Sequence, residues 1–425
     1  PLVALTVTAG IPDEAARWRA WRLTILIVLF VAPQVLCYLV ASIGEAVQQA
    51  RRRFALAAAA PSVESIGVIV TMGLVALWYH PGADVADIPL GMVIVLGVGS
   101  TLSVAAHAGT QLFGARRVGL AIRPRGGWSS DPHAREVSRR MRQSVVVAAF
   151  PVCSMFAMLA VAATVPGGVF VFQAALSVYY VIGALGSKAV TAAALPGMSR
   201  AVSNGAPGPI GAAWRQALNL TVMASLPALC LLVAFAHPVA ATLANGKLQD
   251  PRIVSWLTGC LVVLAVSQLA NAGYEVARQA LFARLDTSGP RIASTAMMIM
   301  RIVVSLVILV LPAAGYRLVG LCFAVLLGDA TAALIALVRV RTAIRPQRMT
   351  DRHRLGVILV ATVAMLPASA FGSWAVQRLA LDRAPTVLVS LALGAVAAVC
   401  FGLVYALLTH QLRALITRAL AVLRH

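Results

Sequence analysis

The chain has 425 residues, 60% of them hydrophobic and 12% charged, with a mean hydropathy of +0.88 and a formal net charge of +21. Soluble domains carry roughly a quarter charged residues, so the composition excludes an ordinary soluble protein and marks an integral membrane one. Continuous apolar runs such as 231–235 and 302–311 lack the alternation of a transmembrane β-barrel, so the expected fold class is all-α, a polytopic bundle of membrane helices.

Hydrocarbon about 30 Å thick needs ~20 apolar residues per helix. About eleven stretches qualify: 24–48, 62–79, 88–112, 142–165, 168–196, 213–237, 253–280, 290–313, 315–341, 355–377 and 386–409. Only Lys188 and Lys247 are lysines, and the arginines gather in particular loops. Arg51 to Arg53 follow the first span, eight arginines between 116 and 142 follow the third, and six between 339 and 354 follow the ninth. The loops after the second and fourth spans have none. This is the positive-inside pattern. It places the arginine-bearing loops and the tail with Arg413, Arg418 and Arg424 in the cytoplasm and residues 1–23 outside, although these hold Arg17, Arg19 and Arg22. Basic loops of this kind favour anionic membrane lipids, so lipid headgroups and not nucleic acid are the expected partners of the charge.

Catalytic motifs are absent from the sequence. Its six cysteines fall inside spans without a CxxC, no zinc spacing occurs, and Gly186-Ser187-Lys188 lacks the first glycine of a phosphate loop. The chain is expected not to be an enzyme, and no cofactor or metal is expected beyond a possible coupling cation or the membrane potential.

Ionisable residues inside spans mark functional candidates. They are Lys188 in the fifth span, Arg301 in the eighth and Asp329 in the ninth, with Glu45 and Glu275 nearer the ends of the first and seventh. Arg301 lies 11 residues from the cytoplasmic start of its span and Asp329 12 from the cytoplasmic end of the next, which puts them at nearly equal depth and predicts an ion pair. That pair either neutralises two costly charges or serves coupling. Lys188 either snorkels to headgroups or meets a phosphate.

The chain also repeats itself. Gly44, Val47 and Pro61 lie 229 residues before Gly273, Val276 and Pro290, and Pro1 and Asp13 match Pro238 and Asp250 at an offset of 237. In both copies a proline is expected in the first turn of the following helix, where its missing N–H has no partner to lose. Spans one to three then correspond to seven to nine, in the same orientation, which implies two pseudo-symmetric lobes related by an axis along the membrane normal. By that symmetry three further spans are expected before Pro1. The expected divisions are 1–115, the last three helices of an N-terminal lobe; 116–141, a basic loop; 142–345, a six-helix lobe; and 346–425, two added helices and a basic tail.

Three motifs now carry a resemblance: Arg53-Phe54 followed by Ala60-Pro61; Leu195-Pro196-Gly197-Met198-Ser199-Arg200; and Arg278 through Asp286-Thr287 to Pro290. In order and topology they resemble the MurJ/MviN family of lipid II flippases, in the MOP exporter superfamily with its MATE-like fold. The resemblance implies a bacterial cytoplasmic-membrane transporter with a cytoplasmic C-terminus. Its cargo would be a lipid-linked saccharide, undecaprenyl-pyrophosphate muropeptide, moved by alternating access, with cell-wall synthesis proteins as further partners. Lys188, Arg301, Asp329, Glu275 and Arg278 are the expected substrate or coupling residues. Leu176 and Ser177 stand where the family carries an Asp-Arg pair, so its cavity arginine is missing from that helix. Two alternatives remain: an exporter of another polyprenyl-linked saccharide, and a non-transporting scaffold for cell-wall assembly.

Overall fold

A computed structural model describes residues 13–51, 53–80, 88–119, 135–136, 138, 152–203, 207–244, 249–310, 314–346, 348–379 and 382–409. Among them there is no strand. The chain divides into two compact units, Pro1–Val137 and Ser138–His425. Most of the expected basic loop lies outside the described residues.

The first unit holds α1 (Glu14–Val31), α2 (Gln34–Ala50), α3 (Phe54–Trp78) and α4 (Leu90–Arg117). Asp13 caps α1, accepting from the N–H groups of Ala15 and Ala16 at 3.3 and 3.2 Å, so the helix begins ten residues before the expected span at 24. The apolar stretch Glu14–Gln49 has 36 residues, or about 54 Å if straight, and Pro33 breaks it because proline supplies no N–H to the preceding turn. Thr101 of α4 donates to the Phe30 carbonyl near the break at 2.7 Å, and Gln34 reaches Ser100 and Thr101 at 3.1 and 3.0 Å. One backbone carbonyl beside the break is thereby satisfied inside the protein, as a non-aqueous surrounding favours. Close to the other end, Gly44 lets α2 touch α4: a Cβ there would lie 2.8 Å from the Gln111 carbonyl oxygen.

Pro61 departs from its expected place. Helix α3 begins at Phe54, so this proline stands inside it, whereas Pro290 does fall in the first turn of its helix. The run Ala55 to Ala60 explains the difference, because alanine has the highest helix propensity and extends the helix back to Arg53.

The second unit begins its described part with α5 (Val152–Ala162). There follow α6 (Gly168–Gly183), a π-helical turn over Ala184–Lys188, α7 (Ala189–Ser203), α8 (Pro207–Ala234), α9 (Ala236–Leu243), α10 (Pro251–Ala283), α11 (Ser288–Ile308), α12 (Ala314–Ile344), α13 (Arg352–Leu379) and α14 (Arg383–Leu408). Asp250 caps α10 by accepting from the Arg252 N–H at 2.8 Å, as its counterpart Asp13 caps α1. Nine helical stretches among the described residues, α1 and α2 counting as one, are long and apolar enough to cross a membrane, and two more, Val152–Ala162 and Gly168–Gly183, are apolar but shorter. The protein is a multi-pass membrane helical bundle.

Helix α11 shows how such a bundle is patterned. Its buried positions include Ala293, Ser294, Met297, Arg301, Ser305 and Ile308, and its exposed ones include Ile292, Ile299, Val303, Leu306 and Val307. The polar residues Ser294, Arg301 and Ser305 face the protein and most of the branched apolar ones face outward, the arrangement expected where lipid is the solvent. Two apolar cores result in this unit. One gathers Phe172, Leu176, Leu257, Leu261, Leu264 and Leu321; the other gathers Trp214, Tyr274, Leu281, Met297, Ala336 and Val340.

Candidate functional site

Between those two cores lies a polar layer. Along α10 the first core ends at Ala265 and the second starts at Tyr274, with Ser267 and Gln268 between; along α12 the limits are Val325 and Ala332, with Asp329 between. Arg301 Nη2 donates to Asp329 Oδ1 at 2.6 Å. The other carboxylate oxygen accepts from Tyr179 Oη at 2.6 Å and Ser267 Oγ at 2.7 Å. Four helices thus meet on one carboxylate. The expected ion pair forms, and both side chains are over nine-tenths buried. Gly328 makes the room: a Cβ there would lie 2.6 Å from Arg301 Cγ.

Next to this layer runs the π-turn that ends at Lys188. Ser187 Oγ donates to the Gly183 carbonyl at 3.3 Å, and Gly183 itself lies against Gln268. Both amide atoms of Gln268, with Asn219 Oδ1 and Ser225 Oγ of α8, are buried without a partner among the described residues. A π-turn leaves helical hydrogen bonding irregular and recurs at functional sites. The backbone of Lys188 therefore belongs to a buried region with spare polar capacity; its side chain, like those of Phe54 and Pro196, lies outside the described ones.

Glu275 and Arg278 pair with each other along α10 at 2.5 Å, and Arg278 sits 5.7 Å from the centroid of the Tyr274 ring. Tyr274 is bonded to Ser294 of α11 at 2.8 Å. Glu45, in the related place of the first unit, accepts from Gln49 at 2.8 Å.

The turn between α10 and α11 is built around Asp286. Its Oδ1 accepts from the Ser288 N–H (3.0 Å), the Ser288 hydroxyl (2.7 Å) and the Gly289 N–H (3.2 Å), and its Oδ2 from Arg339 Nε of α12 at 3.0 Å. Arg284 donates to the Ala343 carbonyl. A Cβ at Gly289 would meet Arg339 Cγ at 2.9 Å, so the glycine admits the arginine. Burial raises the Asp286 pKa, but the Ser288 hydroxyl, the Gly289 N–H and Arg339 together outweigh it and hold the carboxyl below its ordinary value.

In the first unit, Arg53 lines a cavity of about 740 Å³ with Gln48, Leu56, Gly114, Arg117 and Val118. The same unit holds a group that the sequence reading passed over. Tyr38 Oη donates to Glu64 Oε1 at 2.6 Å, and Glu64 Oε2 lies 2.7 Å from His107 Nδ1. Glu64 stands two residues after the expected span start at 62. With α3 starting at Phe54, it is about 15 Å inside the helix at 1.5 Å per residue.

Leu176 is buried in the first core of the second unit, and Ser177 Oγ donates to the Gln173 carbonyl at 2.8 Å. Neither supplies the charge that the family pair would.

Comparison with known proteins matches the model of a family described as "Lipid II flippase MurJ" over residues 2–382. Among solved structures, the fold is similar to a lipid II flippase MurJ in an inward closed conformation, with TM-score 0.63 and 14% identity, covering 93% of this chain and 77% of that one. It is also similar to an inward-facing multidrug resistance MATE transporter of the MOP superfamily, with TM-score 0.59 and 17% identity over 81% of this chain and 77% of that one. A MATE structure in the bent conformation gives TM-score 0.57 and 18% identity over 81% and 72%. The comparison with curated proteins finds no match.

Proposed function

Because the chain belongs to the MurJ family of lipid II flippases, we propose that it moves undecaprenyl-pyrophosphate muropeptide from the inner to the outer leaflet of the bacterial cytoplasmic membrane by alternating access, with its C-terminus in the cytoplasm. The family match over residues 2–382 carries this reading. A diphosphate with sugars does not enter hydrocarbon unaided, because unpaired charge there is costly, so the cargo needs cations along its path.

Lys188 supplies one of them. It closes an irregular turn beside buried, unpartnered polar atoms, on the same helical run as Leu176 and Ser177, where the family arginine is missing. Arg301 is committed to Asp329. The four-helix polar layer serves as the frame that keeps the second unit rigid while the cargo site opens and closes. Asp286 and Arg339 clamp the turn at its edge.

Complementation tests the reading. The gene for this chain and its Lys188→Ala variant are expressed in bacteria whose own lipid II flippase can be shut off, with membrane insertion checked by blot. Growth and outer-leaflet lipid II with the parent, lost with the equally abundant variant, is the expected result. Absence of rescue by an inserted parent overturns the substrate assignment.

A further inference from the structure

Tyr38, Glu64 and His107 come from α2, α3 and α4 and meet in the first turns of α2 and well inside α3 and α4. Counted from Ala50, Phe54 and Arg117, they lie about 15 to 18 Å from one common end of the bundle. Exposure rises from the His107 side chain at 11% to Glu64 at 24% and to Tyr38, 42% exposed as a residue. The rings of Tyr38 and His107 pack edge to face, 6.4 Å between centroids. No other charged group is seen on this cluster among the described residues: Glu45 of α2 is turned to Gln49, Arg19 of α1 reaches the Ile88 carbonyl, and Arg53 and Arg117 stand at the helix ends.

We propose that Glu64 and His107 form a proton-binding site whose loading and unloading drives the first unit through the transport cycle. The inference rests on the transporter reading above. Glu64 Oε1 accepts from the Tyr38 hydroxyl and Oε2 lies 2.7 Å from His107 Nδ1, so with the imidazole hydrogen on Nδ1 the carboxylate accepts at both oxygens and Nε2 is left as the atom that can gain a proton. With a neutral imidazole and an ionised carboxyl the pair carries one net negative charge; when Nε2 takes a proton from a hydronium ion, whose O–H bond breaks to leave water, an N–H bond forms and the pair becomes neutral. Net charge is disfavoured away from water and a neutral pair is tolerated. The site therefore keeps its proton while sealed and returns it to water when Tyr38, its most exposed member, is wetted. Histidine with a carboxylate is the side-chain pair suited to this exchange near neutral pH.

Two measurements on the full chain test it, with Glu64→Gln and His107→Gln checked for monodispersity. First, fluorescent lipid II translocation is followed in proteoliposomes with and without a transmembrane pH gradient. A severalfold gradient response in the parent that vanishes in both variants is expected; an equal response in the variants overturns the proposal. Second, hydrogen exchange of α2 to α4 is compared at pH 6 and 8, corrected for the intrinsic rates. A difference in the parent that His107→Gln removes supports the site, and no difference in the parent overturns it. A chain that moves no lipid II under any gradient, yet shows this pH-dependent exchange, fails the substrate reading while the proton site stands.

Discussion

Arg301 and Asp329 face each other at 2.6 Å between two apolar cores, and the carboxylate also holds Tyr179 and Ser267. One charge of the pair cannot be removed cheaply, because its partner stays behind in a low-dielectric interior. Arg301→Met or Asp329→Leu is expected to destabilise the protein by about 3–5 kcal/mol. The double change to Met and Leu should cost much less than the sum of the singles. Thermal unfolding in detergent, arranged as a double-mutant cycle, measures the difference; additive losses would refute the direct pairing.

Gly328 exists for the arginine. Alanine there would place a Cβ 2.6 Å from Arg301 Cγ and should cost about 1–3 kcal/mol through overpacking. Combined with Arg301→Ala the substitution should cost nearly nothing further, which the same unfolding assay reads.

Asp286 predicts a pH dependence. Its folded pKa is depressed, so its contribution to stability is complete above the unfolded value of about 3.9 and is lost as pH falls through the lower folded value. Asp286→Asn should lower stability by about 1 kcal/mol near neutrality, the usual worth of a helix-start carboxylate. The gap between parent and variant should close on acidification, as melting curves taken from neutral pH downward would show.

Leu285 follows α10 with φ 59°, a left-handed conformation that suits glycine. The turn imposes it through the bonds from the Leu285 N–H to the Phe282 carbonyl and from the Asp286 N–H to the Leu281 carbonyl, 2.9 and 3.0 Å. Leu285→Gly should relieve about 1 kcal/mol of strain and raise the melting temperature, since the side chain is 77% exposed and gives up little packing. An unchanged or lower melting temperature would contradict it.

Hydropathy by itself determined that the chain is a bundle of membrane helices, because a span of about 20 apolar residues has few other uses. Counting along the chain also determined the Arg301–Asp329 pair: the rise per residue of a helix is constant, so equal distances from a shared turn mean equal depth. The turn through Asp286 was legible for a similar reason, since Arg, Asp, Gly and Pro at that spacing each have one local use. Tertiary structure decided what depends on the faces of helices and on their true ends. It set the start of α3 seven residues before Pro61, broke the first apolar run at Pro33, and put three donors from three other helices on Asp329. It alone brought Tyr38, Glu64 and His107 together. Each of those residues reads alone as an ordinary polar interruption of an apolar run, and only the packing of three helices makes them one site.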